Sequence, residues 1–416
     1  MEYLADLHIH SRYAMACSDQ LTLANMSSTA KEKGIKLLGT GDFTHPLWLD
    51  SIRSSLSEDD GIFSLKNSKD GTKFVLSSEV CTIFEDKSQK SRKIHHCMLA
   101  PSIGVVEQIN KQLSAYGDLS SDGRPILNMS PDKLVKIVSG ISKDVFIYPA
   151  HIWTPWYGIL GAFSGFNSIR DAYGDQEIHI PAVEMGLSSD LLMNWRVSCL
   201  DRYTLLAGSD AHSLPKIGRE AIIIGSNELS YELLTDALKA NRIKKIIKFY
   251  PEEGKYHYDG HRNCGISLAP EQAARYNGMC PKCGKLLTKG VLHRVDELAD
   301  RATGYTPKGA VPYVHSVQLL EIIAHVMKKS PYSPHVKRAY ADMISKLGPE
   351  FDILLNVDID RIKHEKADIG AAIERIRDNK IRLIPGYDGV FGTIDLLNEA
   401  AQKNCGGMQK RISEFE

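Results

Sequence analysis

The chain has 416 residues, 43% of them hydrophobic and 25% charged, with 51 Lys+Arg against 51 Asp+Glu. That length asks for more than one domain, and that composition excludes a disordered or fibrous chain. No stretch approaches the ~18 uninterrupted apolar residues of a membrane span. The start, MEYLADLHIH, shows neither the basic nor the apolar region of a secretory signal, so a cytoplasmic location is expected. The neutral sum hides an asymmetry, because residues 241–416 carry 28 basic and 22 acidic side chains, +6, which leaves −6 on residues 1–240.

In chain order, seven short apolar segments read as buried strands that carry polar residues at or near their ends. They are YLADLHIHS (3–11), IKLLGTGDFTH (35–45), KFVLSSEV (73–80), IHHCMLA (94–100), DVFIYPAHIW (144–153), IPAVEMG (180–186) and YTLLAGSDAH (203–212). Helical stretches separate several of them, including LTLANMSSTAKEKG (21–34) and PDKLVKIVSG (131–140), both closing on a glycine suited to a C-cap. This β/α alternation predicts a barrel whose strand ends converge on one face. Eight of the fifteen histidines lie in residues 1–212, mostly in these segments. Buried imidazole and carboxylate are costly unless paired or metal-bound, so their repetition predicts a polynuclear metal centre.

The eight cysteines divide by spacing. Cys17, Cys81, Cys97 and Cys199 are scattered and read as small buried apolar residues of a reducing compartment, while Cys405 has no evident partner. Cys264, Cys280 and Cys283 fall within twenty residues. With His261 they make H-x2-C followed by C-x2-C, a tetrahedral ligand set of the kind structural zinc prefers, with His257 competing for the histidine position. Gly278 to Lys285 has the wrong glycine spacing and a leucine after the lysine for a phosphate loop, so ATP hydrolysis is excluded.

The segments DLHIHS, SSEV, IHHCML, PAH and GSDAH, in that order, resemble the motifs of the PHP (polymerase and histidinol phosphatase) superfamily. The resemblance implies a distorted (β/α)7 barrel over residues 1–250 with two or three divalent ions, zinc, manganese or magnesium. Matched motif by motif, the metal ligands would be His8, His10, Asp42, Glu79, His96, His151, Asp210 and His212. His95 is the other register for His96, and His45 competes with Asp42, which stands where the family usually has histidine. Asp210, Glu79 and His151 would be the catalytic residues. No histidine occurs among residues 15–19, where a third ion would need one. Closely spaced divalent ions activate water and clamp phosphate oxygens, so phosphoester hydrolysis is the expected chemistry.

The barrel motifs followed by the H-x2-C…C-x2-C module and KGVLHRVDELADR (289–301) resemble the endonuclease Q family of DNA-repair nucleases along essentially the whole chain. That resemblance implies one structural zinc in residues 251–300 and a C-terminal α/β, helicase-C-like domain over 301–416 that binds DNA or the lesion. It implies cleavage 5′ to deaminated bases (hypoxanthine, uracil, xanthine) or abasic sites. A PHP phosphatase acting on a small phosphorylated metabolite is the alternative, and it leaves the long C-terminal portion without a task.

Four further stretches carry open readings. HIWTPWYGILGAFSGFNSIRDAYG (151–174) is an aromatic, glycine-interrupted loop suited either to stacking bases or to covering the barrel mouth. NRIKKIIKFY (241–250) is an amphipathic element whose basic side chains could meet phosphates or solvent. PYVHSVQLLEIIAHVM (312–327) reads as core, with His315 and His325 not ligands. Tyr387-Asp388-Gly389 reads as a turn, with a base-contacting role as the other possibility.

Overall fold

The helix Leu23–Lys33 shows how local sequence sets these elements. Thr22 caps it by accepting from Asn25 N, and Gly34 closes it at φ 84°, sending its N–H back to Ala30 and Lys31. Leu23, Met26 and Ala30 fall on its buried face. The second expected helix runs Pro131–Ile141, past Gly140, and ends at Ser142 instead. The structure, a computed structural model of the chain, describes residues 2–68 and 71–396, so Cys405 lies outside it.

The strands are β1 (Glu2–Asp6), β2 (Ile35–Gly39), β3 (Lys73–Glu85), β4 (Ser91–Ala100), β5 (Phe146–Pro149), β6 (Ala182–Glu184) and β7 (Thr204–Leu206). β1, β2 and β3 run parallel. β4 then returns antiparallel to β3 through a tight connection with no intervening helix, and β5 pairs antiparallel with β4. Ala221–Gly225, Ile243–Lys248 and Tyr313–His315 extend the sheet beyond β1.

The chain forms a mixed α/β sheet, and the alternation of the expected (β/α)7 barrel breaks at β3–β4. β6 and β7 form a separate parallel pair rather than two members of the sheet ladder. Ile152 N donates to Glu184 O at 2.9 Å, and the loop after β7 is tied to the segment after β1 by Asp210 N to His8 O at 2.8 Å, His10 N to Ala211 O at 3.1 Å and a parallel bridge between Ile9 and Ala211. His151 and Asp210 have φ of 29° and 47°, left-handed values that a regular ladder cannot contain. His151 and Asp210 thus leave the ladder, while Glu79 and His95 stay within the paired β3–β4 strands.

Two buried clusters fill the N-terminal unit, and a third, around Leu319, Ile323, Met343 and Ile373, fills the C-terminal one. Past Tyr313–His315 the described chain forms five helices between Leu319 and Arg377, followed by a small hairpin, Arg382–Ile384 with Thr393–Asp395. Among the described residues the C-terminal part thus combines helices with short strands. His315 lies 3.3 Å from Asp190, and His325 Nε2 accepts from Leu396 N, so neither joins a ligand set.

The basic run is the strand Ile243–Lys248, its isoleucines buried. Lys248 is fully buried against Glu220, whose carboxyl burial pushes up to about 7 despite that lysine. Lys248 is removed from any phosphate-binding role, while Arg242 and Lys244 stay exposed.

Candidate metal centre and active site

Beyond β1 the chain places His8 and His10 under the sheet mouth, β3 contributes Glu79, and the loop after β7 contributes Asp210. One ligand atom from each of these four lies within 4.8 Å of every other. A second set, Glu79, His95 and His151, meets the same criterion. Glu79 belongs to both. Its Oε2 lies 3.2 Å from His10 Nε2, and its Oε1 lies 2.8 Å from His95 Nδ1 and 3.0 Å from His151 Nε2. Asp210 Oδ1 is 3.2 Å from His10 Nε2 and 3.8 Å from His8 Nε2.

The structure brings His95, not His96, beside Glu79. Side chains alternate across a strand, so adjacent histidines on β4 face opposite ways. Cys81 pairs with His95 and Glu79 with Cys97, which puts the odd-numbered residues on the site face. His96 turns the other way, its ring nitrogens 3.0 Å from Thr82 Oγ1 and 2.8 Å from Tyr173 Oη. The antiparallel direction of β4 also explains why its histidines sit early in the segment, where parallel strands present their ends.

Asp42 stands beside the site as an orienting group. Its Oδ1 accepts from His10 Nδ1 at 2.9 Å and its Oδ2 from Ser11 N at 2.6 Å, so both oxygens are already engaged. Its competitor His45 points away, with Nε2 3.1 Å from Ser120 O. His212 lies tilted against His10 at 4.6 Å between ring centroids and holds Nδ1 at the Asp210 carbonyl, outside both sets.

Two groups at the site escaped the sequence reading. Glu184 does for His8 what Asp42 does for His10, its oxygens 2.8 and 3.1 Å from His8 Nδ1. The available signal was its place at the end of an apolar strand run. Gly208 allows this approach, because a Cβ there would lie 2.6 Å from both Glu184 Oε1 and His8 Cβ. Arg124, from a loop with no motif, lies 3.2 Å from Glu79 Oε2.

These residues fit a divalent cation. His8 Nε2, His10 Nε2 and Asp210 Oδ1 are buried without a hydrogen-bond partner, although Nδ1 of each imidazole is held by a carboxylate that aims Nε2 inward. Burial alone would raise the Glu79 carboxyl, but His95, Arg124 and His8 outweigh it and hold the group well below the usual range. Burial brings the His95 imidazole down to about 4, leaving a neutral donor. For His10, burial is overcome by Asp42, Asp210 and Glu79, which drive its basicity well above normal. Carboxylates that pull a proton onto a buried imidazole are equally placed to hold a metal ion.

Asp42→Asn is expected to weaken divalent-ion affinity by about 10- to 100-fold, because His10 loses the charge that fixes its tautomer. Metal titration against a competing chelator would show it, and unchanged affinity would remove Asp42 from this role.

The loop after His151 divides into two halves. Trp153 is buried and donates from Nε1 to Asn194 Oδ1 at 2.9 Å, and Tyr173 is buried against His96. Trp156, Tyr157 and Phe163 are exposed. The covering and contacting roles therefore fall to different residues of one loop.

Away from this site, His261, Cys264, Cys280 and Cys283 gather with ligand atoms within 4.8 Å of one another. His261 ends one strand of a small hairpin, Asp259–His261 with Ile266–Leu268, and Cys264 follows in a short turn. Burial would raise the Cys280 thiol, but the backbone amides of Lys282 and Cys283, with the side chains of Cys283 and His261, bring it down to about 6. His257, the competitor, is buried against Tyr258 and outside the group. Asp388 accepts from Arg262 N and from Thr288 Oγ1, each at 2.7 Å, so the Tyr387–Gly389 turn is fastened onto this module.

Residues 318–380 match the family model described as the MJ0043 C-terminal domain. The chain is 33% identical over 275 residues to the uncharacterized protein MJ0043 of Methanocaldococcus jannaschii, covering 64% of this chain and a third (33%) of that protein's length. It is 32% identical over 415 residues to the uncharacterized protein YqxK of Bacillus subtilis, covering 94% of this chain and 98% of that one. Among solved structures it is similar to the lesion-specific endonuclease PfuEndoQ of Pyrococcus furiosus, with 31% identity, a TM-score of 0.85, and coverage of 96% of this chain and 98% of that one. It matches equally well an endonuclease Q in complex with a 27-mer duplex substrate carrying an abasic lesion at the active site. Among the described residues no helix is long and apolar enough to cross a membrane. With 31% identity and a TM-score of 0.85 over nearly the full length of both endonuclease Q structures, the chain belongs to the endonuclease Q family.

Proposed function

We propose that this chain is a metal-dependent DNA-repair endonuclease that hydrolyses the phosphodiester 5′ to deaminated bases or abasic sites. The observation that carries the reading is the shared Glu79. It joins two ligand sets in the mouth of a fold that matches a lesion-specific endonuclease over 96% of the chain. His8, His10, Glu79 and Asp210 would hold one ion, and Glu79, His95 and His151 another. Ions so held supply Lewis acidity that activates water and offsets charge on a phosphodiester. The chain's own groups do the positioning. Glu184 and Asp42 fix the imidazoles of His8 and His10, and Arg124 adds a permanent positive charge at the pocket wall, where Lys93, Tyr157 and His212 also face. A structural zinc in the four-residue cluster would rivet the module that follows. Damaged nucleotides pair poorly and leave the helix at lower cost, which is one source of selectivity.

The test incubates metal-stripped protein with duplexes containing one deoxyinosine, one deoxyuridine, one abasic site or no lesion, with Mg²⁺, Mn²⁺ or Zn²⁺ restored singly. A single cut on the 5′ side of the lesion, dependent on the added ion, is expected. Cutting without regard to the lesion, or none with any ion, would overturn the reading.

A further inference from the structure

The turn Tyr387–Gly389 belongs to a loop, Gly386 to Gly392, that is built with more care than a simple connection needs. Gly386 N donates to Glu252 O at 2.7 Å, Gly392 N to Glu253 O at 3.1 Å, and Gly389 N to Lys255 O at 3.0 Å. Tyr258 N donates back to Gly386 O at 3.0 Å. A Cβ on Gly392 would lie 2.0 Å from Glu252 O, so only glycine permits this closure. With Asp388 fastened to Arg262 and Thr288, the backbone of the loop is fixed on both sides.

This rigid support displays an apolar tip. Phe391 is 64% exposed and Val390 39%, while Ile384 beside them is 49% exposed. An aromatic ring left in water forgoes the stabilisation that burial would bring, and a fixed backbone prevents it from folding back. The Lys255 ammonium lies 4.6 Å from the Phe391 ring centroid. A flat apolar face with a cation beside it suits a base and its phosphate.

The tip is continuous with the metal centre. Tyr256, next to Lys255, meets Trp156 edge-on at 5.1 Å, and Trp156 stacks on Phe163 at 4.8 Å. Tyr157, the next residue, covers His95 at 4.6 Å between centroids, and His95 contacts Glu79. Aromatic contacts therefore run from the ligands to Tyr256, the neighbour of Lys255, whose ammonium meets the Phe391 ring.

We infer that the 386–392 loop is a wedge, with Phe391 entering the base stack of duplex DNA beside the scissile phosphodiester and Lys255 meeting the flanking phosphate. This rests on the nuclease reading above and adds to it the element that opens the duplex. A wedge lowers the cost of unstacking, so its removal should matter where bases are paired and matter little where they are already apart.

The experiment compares Phe391→Ala, Phe391→Trp and the unaltered chain on two substrates. One is a fully paired duplex with a central deoxyuridine, and the other carries a three-base mismatched bubble around the same deoxyuridine. Phe391→Ala is expected to cut the paired duplex about tenfold more slowly and the bubble within about threefold of normal, while Phe391→Trp stays near normal on both. Equal loss on both substrates, or none on either, overturns the wedge; the second outcome is also what a protein-docking role for Phe391 would give. An unaltered chain that cuts neither substrate removes the nuclease reading, and the wedge with it.

Discussion

Glu79→Gln is expected to reduce cleavage of lesion-containing duplex by about a thousandfold or more, with DNA binding little changed. Glu79 belongs to two of the ligand groups at the sheet mouth, so the amide weakens two candidate ion sites with one substitution. At ~1.4 kcal/mol per tenfold, a thousandfold loss corresponds to about 4 kcal/mol, within reach of losing ion-assisted charge stabilisation. The amide keeps the size of the side chain but no longer balances His95, Arg124 and His8, which face it. Some loss of stability should accompany the change, and a melting curve separates that from the catalytic effect. Single-turnover cleavage with saturating protein, beside an anisotropy measurement of binding, reads both quantities. Cleavage within threefold of normal would show that the two sets are not the reaction centre.

Cys280→Ser is expected to abolish retention of zinc by the module and to open it to protease, while the N-terminal sheet stays folded. Between residues 261 and 289 only Pro270, Ala273 and Cys280 are buried, too few to hold a fold by apolar contact. Four-ligand zinc sites of this kind contribute about 10–16 kcal/mol of apparent binding energy in small peptides, so one missing thiolate should be decisive. The consequence should reach the metal centre indirectly. Arg294, on the helix Val291–Leu298 that follows the module, donates to Leu160 O, Phe166 O and Asn167 Oδ1, thereby holding the aromatic loop that starts at His151. Duplex cleavage should therefore fall without loss of the two ligand sets. Zinc content after dialysis, limited proteolysis and cleavage together check this. A variant that retains one zinc per chain and resists protease would refute the four-residue site.

How far the sequence reached is clearest at β4. IHHCMLA announced a strand and a ligand, but the choice between His95 and His96 depends on which face of the strand meets the site. That parity is set by the pairing of Cys81 with His95, a contact between residues fourteen apart across a hairpin. Asp42 was legible as a site residue for the same reason His10 was, since both sit in short strand-end segments. Its role beside the ligands was not legible, because it depends on the 2.9 Å approach of a side chain from another strand. Arg124 left no trace in any local pattern. The His261, Cys264, Cys280 and Cys283 cluster is the opposite case, since its four residues lie within one continuous stretch and their spacing marks them as a group.

By itself, then, the sequence determined which kinds of side chain this protein brings to its strand ends and where its His261–Cys283 cluster lies. It did so because strand periodicity, glycine caps and short-range cysteine spacing are local properties of the chain. Tertiary structure alone decided that Glu79 is shared, that Glu184 and Asp42 aim the imidazoles, and that Lys248 is removed from the basic surface into an ion pair with Glu220. Those facts rest on contacts between residues tens to hundreds of positions apart, whose energies depend on burial and approach distance rather than on neighbours in the chain.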